Sequence, residues 1–227
     1  MKDNKKIAVL IPVFNEGAVI GGVLQQLISL DYTIIIVDDS STDGLAEQIA
    51  GLPVHYLRHP INLGQGAALQ TGFRYASGID CTHVVTFDAD GQHLAADIPR
   101  LLEVAADENL DIVFGSRFMG KAIEIPLSRR ILLQGARWFN YITTGILMTD
   151  AHNGLRVLKK ETISNIQLKQ NRMAYATELL DEIRRLGYTY GEGPVTIVYT
   201  DYSKQKGQSN WNAINIAWHL FVQKLHN

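Results

Sequence analysis

Apolar residues recur along this chain in two alternating rhythms. Short runs rich in β-branched residues, bounded by polar clusters, predict buried strands at Ile7–Val13, Thr33–Val37 and Val54–Leu57. A fourth run, Val84-Val85-Thr86-Phe87, predicts a strand that ends at Asp88, and Asp111–Gly115 predicts a fifth. Between them the spacing shifts to the helical period. Val19, Ile20, Val23, Leu24, Leu27 and Ile28 fall on one face of a helix opened by Gly17 and running to about Ser29. Further helices are predicted over Gly44–Ala50, Ala67–Ala76 and Ala95–Ala106. Strands alternating with helices predict a parallel sheet with helices on both faces.

After Gly115 the pattern changes. Gly115-Ser116-Arg117-Phe118 is expected to lead into a loop, and a long helix then runs from an N-cap at Ser128 to about Leu147. Leu155–Leu158 predicts a strand, Met173–Leu186 a helix closed by Gly187, and Val195–Tyr199 a last strand. Thr200–Asn210 is polar and contains Gly207, which suits a mobile loop or lid. Trp211–Leu225 predicts a C-terminal helix bearing Trp211, Trp218 and Phe221, suited to docking on the body, a partner or a membrane surface.

Composition narrows the classes. With 227 residues, 46% hydrophobic and 19% charged, the chain has an ordinary globular balance and the length of one large α/β domain or two small ones. A net charge of -2 argues against a broad nucleic-acid surface. The lone Cys81 excludes a disulfide framework within the chain and is compatible with a reducing compartment. The N-terminal apolar run is too short for the core of a signal peptide, and no stretch reaches the roughly 18–20 apolar residues of a bilayer span.

Candidate chemistry gathers where the strands end. Asn15 with Glu16, Asp38 with Asp39, Asn62 with Gly64 and Gly66, and Asp88 with Asp90 all follow predicted strands. In such sheets ligands bind beyond the carboxyl ends of the strands. Asp88 and Asp90 offer hard oxygen donors suited to Mg²⁺ or Mn²⁺, with positions open for a diphosphate; the alternative is a polar turn capping the next helix. Gly64-x-Gly66 lacks a third glycine at the dinucleotide spacing, because Leu69 stands there, and no Gly-Lys-Ser/Thr makes a P-loop. These glycines suit close backbone approach, either to a ligand or to neighbouring chain. The basic set Arg117, Lys121, Arg129, Arg130 and Arg137 suits either phosphate or a solvated face.

Taken in order, Ile11-Pro12-Val13-Phe14-Asn15-Glu16, Val37-Asp38-Asp39-Ser40-Ser41-Thr42-Asp43-Gly44, Asn62-Leu63-Gly64-Gln65-Gly66, Asp88-Ala89-Asp90-Gly91-Gln92-His93 and Gly115-Ser116-Arg117-Phe118 make a recognisable series. The chain resembles family 2 glycosyltransferases of the GT-A fold over nearly its whole length. Within them it is most similar to the dolichyl-phosphate mannose synthase and polyprenyl-phosphate glycosyltransferase branch. Asp150, Asn153-Gly154-Leu155-Arg156 and Gly207-Gln208-Ser209 point to that branch with less force.

The resemblance implies a mostly parallel GT-A sheet in one catalytic domain over 1–200, with a nucleotide-sugar half (1–115) and an acceptor half (116–200), followed by the loop and helix of 201–227. It implies that Pro12, Asn15, Glu16, Asp38 and Asp39 hold the base and ribose of a UDP- or GDP-sugar, with Asp39 facing the ribose, and that Asn62 and Gly64 line the same site. Asp88, Asp90 and Gln92 would hold Mg²⁺ or Mn²⁺ on the diphosphate. Arg117 and Arg130, with Arg129 beside it, would bind the phosphate of a polyprenyl lipid. Ser40 and Gln65 depart from the pattern, standing where glycine and lysine are common. Without the membrane helices that many relatives append, the chain resembles synthases that work at the cytoplasmic face of a membrane, some with a separate membrane subunit.

The acceptor decides the chemistry. A lipid phosphate is already ionised near neutral pH and needs placement more than a base. A saccharide hydroxyl needs a carboxylate within hydrogen-bond reach, for which Asp150 and Glu178 are the candidates. A non-catalytic nucleotide-sugar binder that scaffolds a membrane partner is the third reading.

Overall fold

The computed structural model describes residues 6–123, 134, 135, 137, 138, 141, 142, 144–200 and 202. Strand β1 (Ile7–Val13) lies within a seven-stranded sheet and shows why both faces are covered. Successive side chains of a strand point to opposite faces. Val9, Ile11 and Val13 enter one hydrophobic core, and Ala8 and Leu10 enter the other. β2 (Thr33–Asp38) divides the same way, Ile34 and Ile36 against Ile35 and Val37. Helices α1 (Gly17–Ile28), α2 (Leu45–Ile49) and α4 (Ile98–Asp107) pack on the first face. Helices α3 (Gln65–Ser77), α5 (Lys160–Asn165) and α6 (Tyr175–Leu186) pack on the second. The helix-on-both-faces architecture expected from the pattern is present.

The strand order is β3-β2-β1-β4-β6-β5-β7, with β3 at Val54–Arg58, β4 at His83–Thr86, β5 at Ile112–Ile123, β6 at Arg156–Lys159 and β7 at Tyr190–Val198. β1 pairs in parallel with both β2 and β4, so the order reverses there and the crevice beyond β1 and β4 is the favoured ligand position.

Several elements differ from their expected form. β4 stops at Thr86, so Phe87 and Asp88 already belong to the turn. β6 begins at Arg156 and runs antiparallel to both β4 and β5, which makes the sheet mixed; alternation marks a strand but carries no direction. β5 does not give way to a loop at Gly115. It runs on to Ile123 against β7, with an irregularity between Ser116 and Lys121 that absorbs the polar stretch. The helix expected over Ala95–Ala106 opens as a 3₁₀ turn, Ala95–Asp97, before α4. Gly187 closes α6 at φ 71°, the left-handed cap expected of it. Residues 134, 135, 137, 138, 141, 142 and 144 are helical, and Gly145 at φ 71° ends this helix before Leu147. The loop and helix expected beyond Thr200 lie outside the described residues, apart from Tyr202.

Candidate active site

Three loops meet beyond β1, β2 and β4. The loop after β1 is laced to the loop after β2. Asn15, at φ 54°, donates its backbone N–H to Ser41 Oγ (2.9 Å) and accepts from Thr42 N–H through Oδ1 (2.8 Å); Gly17 N–H donates to Asp43 Oδ2 (2.7 Å). Pro12 pairs with Val37 inside the β1–β2 ladder.

The two acids that close β2 are occupied by the protein itself. Asp38 is fully buried. It accepts from Ser41 N–H (2.7 Å) and from the Tyr56 hydroxyl (2.6 Å), and Arg58 Nε stands 3.6 Å away. Burial, then the hydrogen bond and charge of Asp38, push the Tyr56 phenol up to about 12 against the opposing charge of Arg58. Asp39 is buried too. Its Oδ1 lies 2.7 Å from His59 Nδ1 and accepts from Leu63 N–H (2.9 Å); its Oδ2 accepts from Gly64 N–H (2.6 Å) and Asn62 Nδ2 (2.9 Å). A carboxylate has about four acceptor positions, and these contacts fill them. Asp39, expected to face a ribose, organises the turn from His59 to Gly64.

Gly64 and Gly66 lie close against the backbone of residues 170–171. A Cβ on Gly64 would lie 2.4 Å from the Asn171 carbonyl oxygen, and one on Gly66 2.1 Å from that of Gln170. Asn171 O also accepts the Ala67 N–H (3.1 Å) in the first turn of α3. The 169–170 backbone is fixed in turn by Glu178, whose carboxylate accepts from Lys169 N–H (3.0 Å) and Gln170 N–H (2.8 Å).

Between those glycines, Gln65 reaches the paired acids. Its Nε2 donates to Asp88 Oδ1 (2.9 Å), while His93 Nε2 lies 3.3 Å from Asp88 Oδ2. Gly154 leaves room for this carboxylate: a Cβ there would lie 1.9 Å from Oδ2. Behind it Arg156 is buried between the rings of Phe114 and Tyr175, 5.4 and 5.5 Å from their centroids. Burial opposes ionisation of Asp88, but the His93 contact and charge, the Arg156 guanidinium and the Gln65 amide together hold it below the usual carboxylate range. Asp90 goes the other way. Burial, then the charge of Asp88 and that of Glu16, raise it, against His93 and the Gln92 N–H. Its Oδ1 accepts from Gln92 N–H (3.0 Å) and its Oδ2 from Gln92 Nε2 (2.7 Å).

A second buried cluster lies around Arg117. Asp150 Oδ2 accepts from Arg117 Nε (2.6 Å), Arg117 N–H (3.1 Å) and Asn153 Nδ2 (3.1 Å). Arg117 Nη1 donates to the Tyr199 hydroxyl (2.5 Å). Burial works against the charge on Arg117, but Asp150 and Tyr199 more than offset it and keep the guanidinium protonated. Glu192 on β7 accepts from Thr149 N–H (2.8 Å), the Thr149 hydroxyl (2.7 Å) and Asp150 N–H (3.0 Å). The chain leaving β7 then crosses towards the loops after β1 and β4: Val198 N–H donates to Gln92 O (3.0 Å), and the Tyr202 hydroxyl to Glu16 Oε2 (2.7 Å).

The family model described as Glycosyl transferase family 2 matches residues 8–165 of this chain. The chain belongs to that family. An uncharacterized protein of Methanocaldococcus jannaschii is 33% identical over 225 residues, covering 97% of this chain and 93% of the relative. A UDP-N-acetylglucosamine–dolichyl-phosphate N-acetylglucosaminyltransferase of Methanococcus voltae is 28% identical, covering 98% and 97%. An undecaprenyl-phosphate mannosyltransferase of Micrococcus luteus is 29% identical, covering 88% and 87%. Among solved structures, glucosyl-3-phosphoglycerate synthase from Mycobacterium tuberculosis, crystallised with Mn²⁺ and UDP-glucose, superposes with a TM-score of 0.72 at 16% identity, over 99% of this chain and 79% of that one. That likeness establishes the GT-A fold.

In this family 2 glycosyltransferase the paired acids suit a divalent ion. Burial, with the negative charge of Asp88 and Glu16, raises Asp90, and a divalent ion between the paired acids would offset that charge. Asp88, Asp90 and Gln92 supply hard oxygen donors. Among the described residues no three His, Cys, Asp or Glu side chains form a metal cage, and Mg²⁺ commonly binds through one or two carboxylates, completing its shell from water and substrate phosphate.

Other assignments shift. Asp150 Oδ2 is tied to a guanidinium, while its buried Oδ1 has no partner among the described residues, and Glu178 accepts from two backbone N–H groups. Arg129 and Arg130 lie outside the described residues. The structure adds Gln65, His93, Gly154, Arg156, Tyr199 and Glu192 to the site. Gln65, His93, Gly154 and Arg156 stand within the family motifs, which is their signal in the sequence; Tyr199 and Glu192 carry no local signal. Among the described residues no helix is long and apolar enough to cross a membrane.

Proposed function

We propose that this glycosyltransferase moves a sugar from a UDP- or GDP-sugar to the phosphate of a polyprenyl or dolichyl lipid, with inversion. The observation that carries this reading is that Asp150 is ion-paired with Arg117 and Glu178 is bonded to two backbone N–H groups, so neither stands as an unpaired carboxylate. Attack by a saccharide hydroxyl needs a free carboxylate, whereas a lipid phosphate, with a second pKa of about 6, arrives ionised. The Methanococcus and Micrococcus relatives, named for transfer to dolichyl and undecaprenyl phosphate, support the same acceptor class.

On the donor side, the laced loops after β1 and β2 shape the nucleotide site, with Asp38 and Asp39 holding the loops rather than the ligand. Glu16 and Asn15 edge it. Asp88, Asp90 and Gln92 would hold Mg²⁺ or Mn²⁺, which offsets charge growing on the leaving diphosphate. Gln65 and His93 keep the Asp88 carboxylate in one orientation. On the acceptor side Arg117 orients the phosphate. Its charge is already balanced by Asp150, so it contributes geometry, and the remaining positive charge falls to Arg129 and Arg130. The lipid tail places the enzyme at a membrane surface.

A transfer assay with radiolabelled UDP-N-acetylglucosamine, UDP-glucose and GDP-mannose, each with and without polyprenyl phosphate and each with and without Mn²⁺, tests the proposal. Organic-soluble product is expected from one donor, only with lipid phosphate and metal. Sugar delivered to a saccharide but not to the lipid refutes it.

A further inference from the structure

We infer that β7 positions the acceptor arginine, Tyr199 directly and Glu192 through Asp150; this rests on the reading of Arg117 as a phosphate ligand. Arg117 comes from β5, in the stretch where that strand departs from regular pairing. A side chain so placed needs holding from outside its own element. Asp150 takes Nε, and the Tyr199 hydroxyl takes Nη1. Nη2 is left without a partner among the described residues, and the side chain, 8% exposed, keeps one edge open. A guanidinium fixed on two sides and open on the third can meet a phosphate oxygen in one orientation only.

Both holders trace back to β7. Tyr199 follows its last residue and is tied to β5 by donating its backbone N–H to Ile123 O (3.3 Å). Glu192 gathers the backbone N–H groups of Thr149 and Asp150, which sets where the Asp150 carboxylate stands. The same strand end touches the paired-acid turn, through a bridge between Ile197 and His93. One element therefore fixes the distance between donor and acceptor groups. Neither tyrosine nor glutamate touches substrate; each acts through Arg117.

The test is a titration of the full chain with a short-chain polyprenyl phosphate, comparing Tyr199→Phe, Glu192→Gln, Arg117→Ala and the double variant Tyr199→Phe/Arg117→Ala. Affinity for UDP with Mn²⁺ reports on the integrity of the fold. Tyr199→Phe removes one oxygen and keeps the ring, and is expected to weaken lipid-phosphate binding about tenfold, the scale of a lost hydrogen bond to a charged group. In the Arg117→Ala background the same change is expected to do nothing further, because coupled residues are not additive. A purely structural role would lower UDP affinity and act equally in both backgrounds, and that result overturns the inference. If Arg117→Ala itself leaves lipid-phosphate binding intact, the acceptor reading of Arg117 falls, and the inference with it. If Arg117→Ala weakens binding while both β7 variants leave it unchanged, the inference alone falls.

Discussion

Replacing Gly154 by alanine tests the geometry of the paired acids with a single methyl group. Gly154 is not among the glycines with positive φ, so alanine meets no backbone strain there and the effect is steric. The added carbon would stand 1.9 Å from Asp88 Oδ2, 2.3 Å from Cγ and 2.5 Å from Oδ1. Carbon and oxygen in real proteins stay beyond 3.0 Å, so the carboxylate must move by at least 3.0 − 1.9 = 1.1 Å. It has little freedom to do so, since Gln65 and His93 hold its two oxygens. Overpacking of this kind costs about 1–3 kcal/mol, equivalent to a fall in Tm of roughly 2–12 °C in a chain of this size. A misplacement of about 1 Å at a reacting centre costs on the order of 100-fold in rate. Gly154→Ala should therefore fold, melt a few degrees lower, and transfer sugar about 100-fold more slowly, with weaker Mn²⁺-dependent binding of UDP by calorimetry. Adding Asp88→Ala should restore the melting temperature without restoring transfer, because it removes the clashing atoms. Wild-type turnover and UDP affinity in Gly154→Ala would refute the account of Asp88 as a tightly held group at the centre of the site.

Three further outcomes follow from the same contacts. Glu178→Gln should lower Tm by roughly 6 °C, because about 2 kcal/mol rests on its bonds to charged-acceptor geometry, yet leave turnover at saturating substrate unchanged; a loss of turnover of 100-fold or more would return Glu178 to the role of base. Asp90→Asn should abolish transfer and raise the Tm of the metal-free protein at neutral pH, measured in a chelator by thermal melting. The folded carboxyl is held above its usual range by burial and by Asp88 and Glu16, so its ionised form costs stability that the neutral amide does not; a lower Tm would contradict the charge crowding. Tyr56 lends stability that is complete below its ordinary value of 10.0 and is lost as pH rises through its folded value of about 12. Tyr56→Phe should accordingly flatten the decline in urea midpoint between those two pH values, and an unchanged slope would show that the bond to Asp38 does not matter.

How far the chain could be read without coordinates depends on what local pattern encodes. Alternation in Ile7–Val13 reports burial on both faces, and the two cores confirm it residue by residue. Gly187 needs a left-handed cap, which is a local demand, and it occupies one. Direction and length of pairing are not local. Nothing in Arg156–Lys159 distinguishes an antiparallel insertion between β4 and β5 from another parallel strand, and β5 runs past Gly115 only because β7 pairs with it again at Lys121–Ile123. The same limit applies to the acids. Residue type marks a carboxylate as chemically able, but its task depends on which donors the fold brings to it.

That distinction separates the acids into two groups and bears on the acceptor. Asp38, Asp39 and Glu178 are engaged by backbone N–H groups and neighbouring polar side chains, and Asp150 by a guanidinium. Each holds its place in the fold through those bonds. Asp88, Asp90 and Glu16 also have partners, in Gln65 and His93, in Gln92 and in Tyr202, but burial and the charges of Asp88 and Glu16 together raise Asp90. On the proposed reading, the paired acids at the switch point of the sheet meet a cation with its diphosphate, and Asp150 stays paired with Arg117 while an already ionised nucleophile attacks.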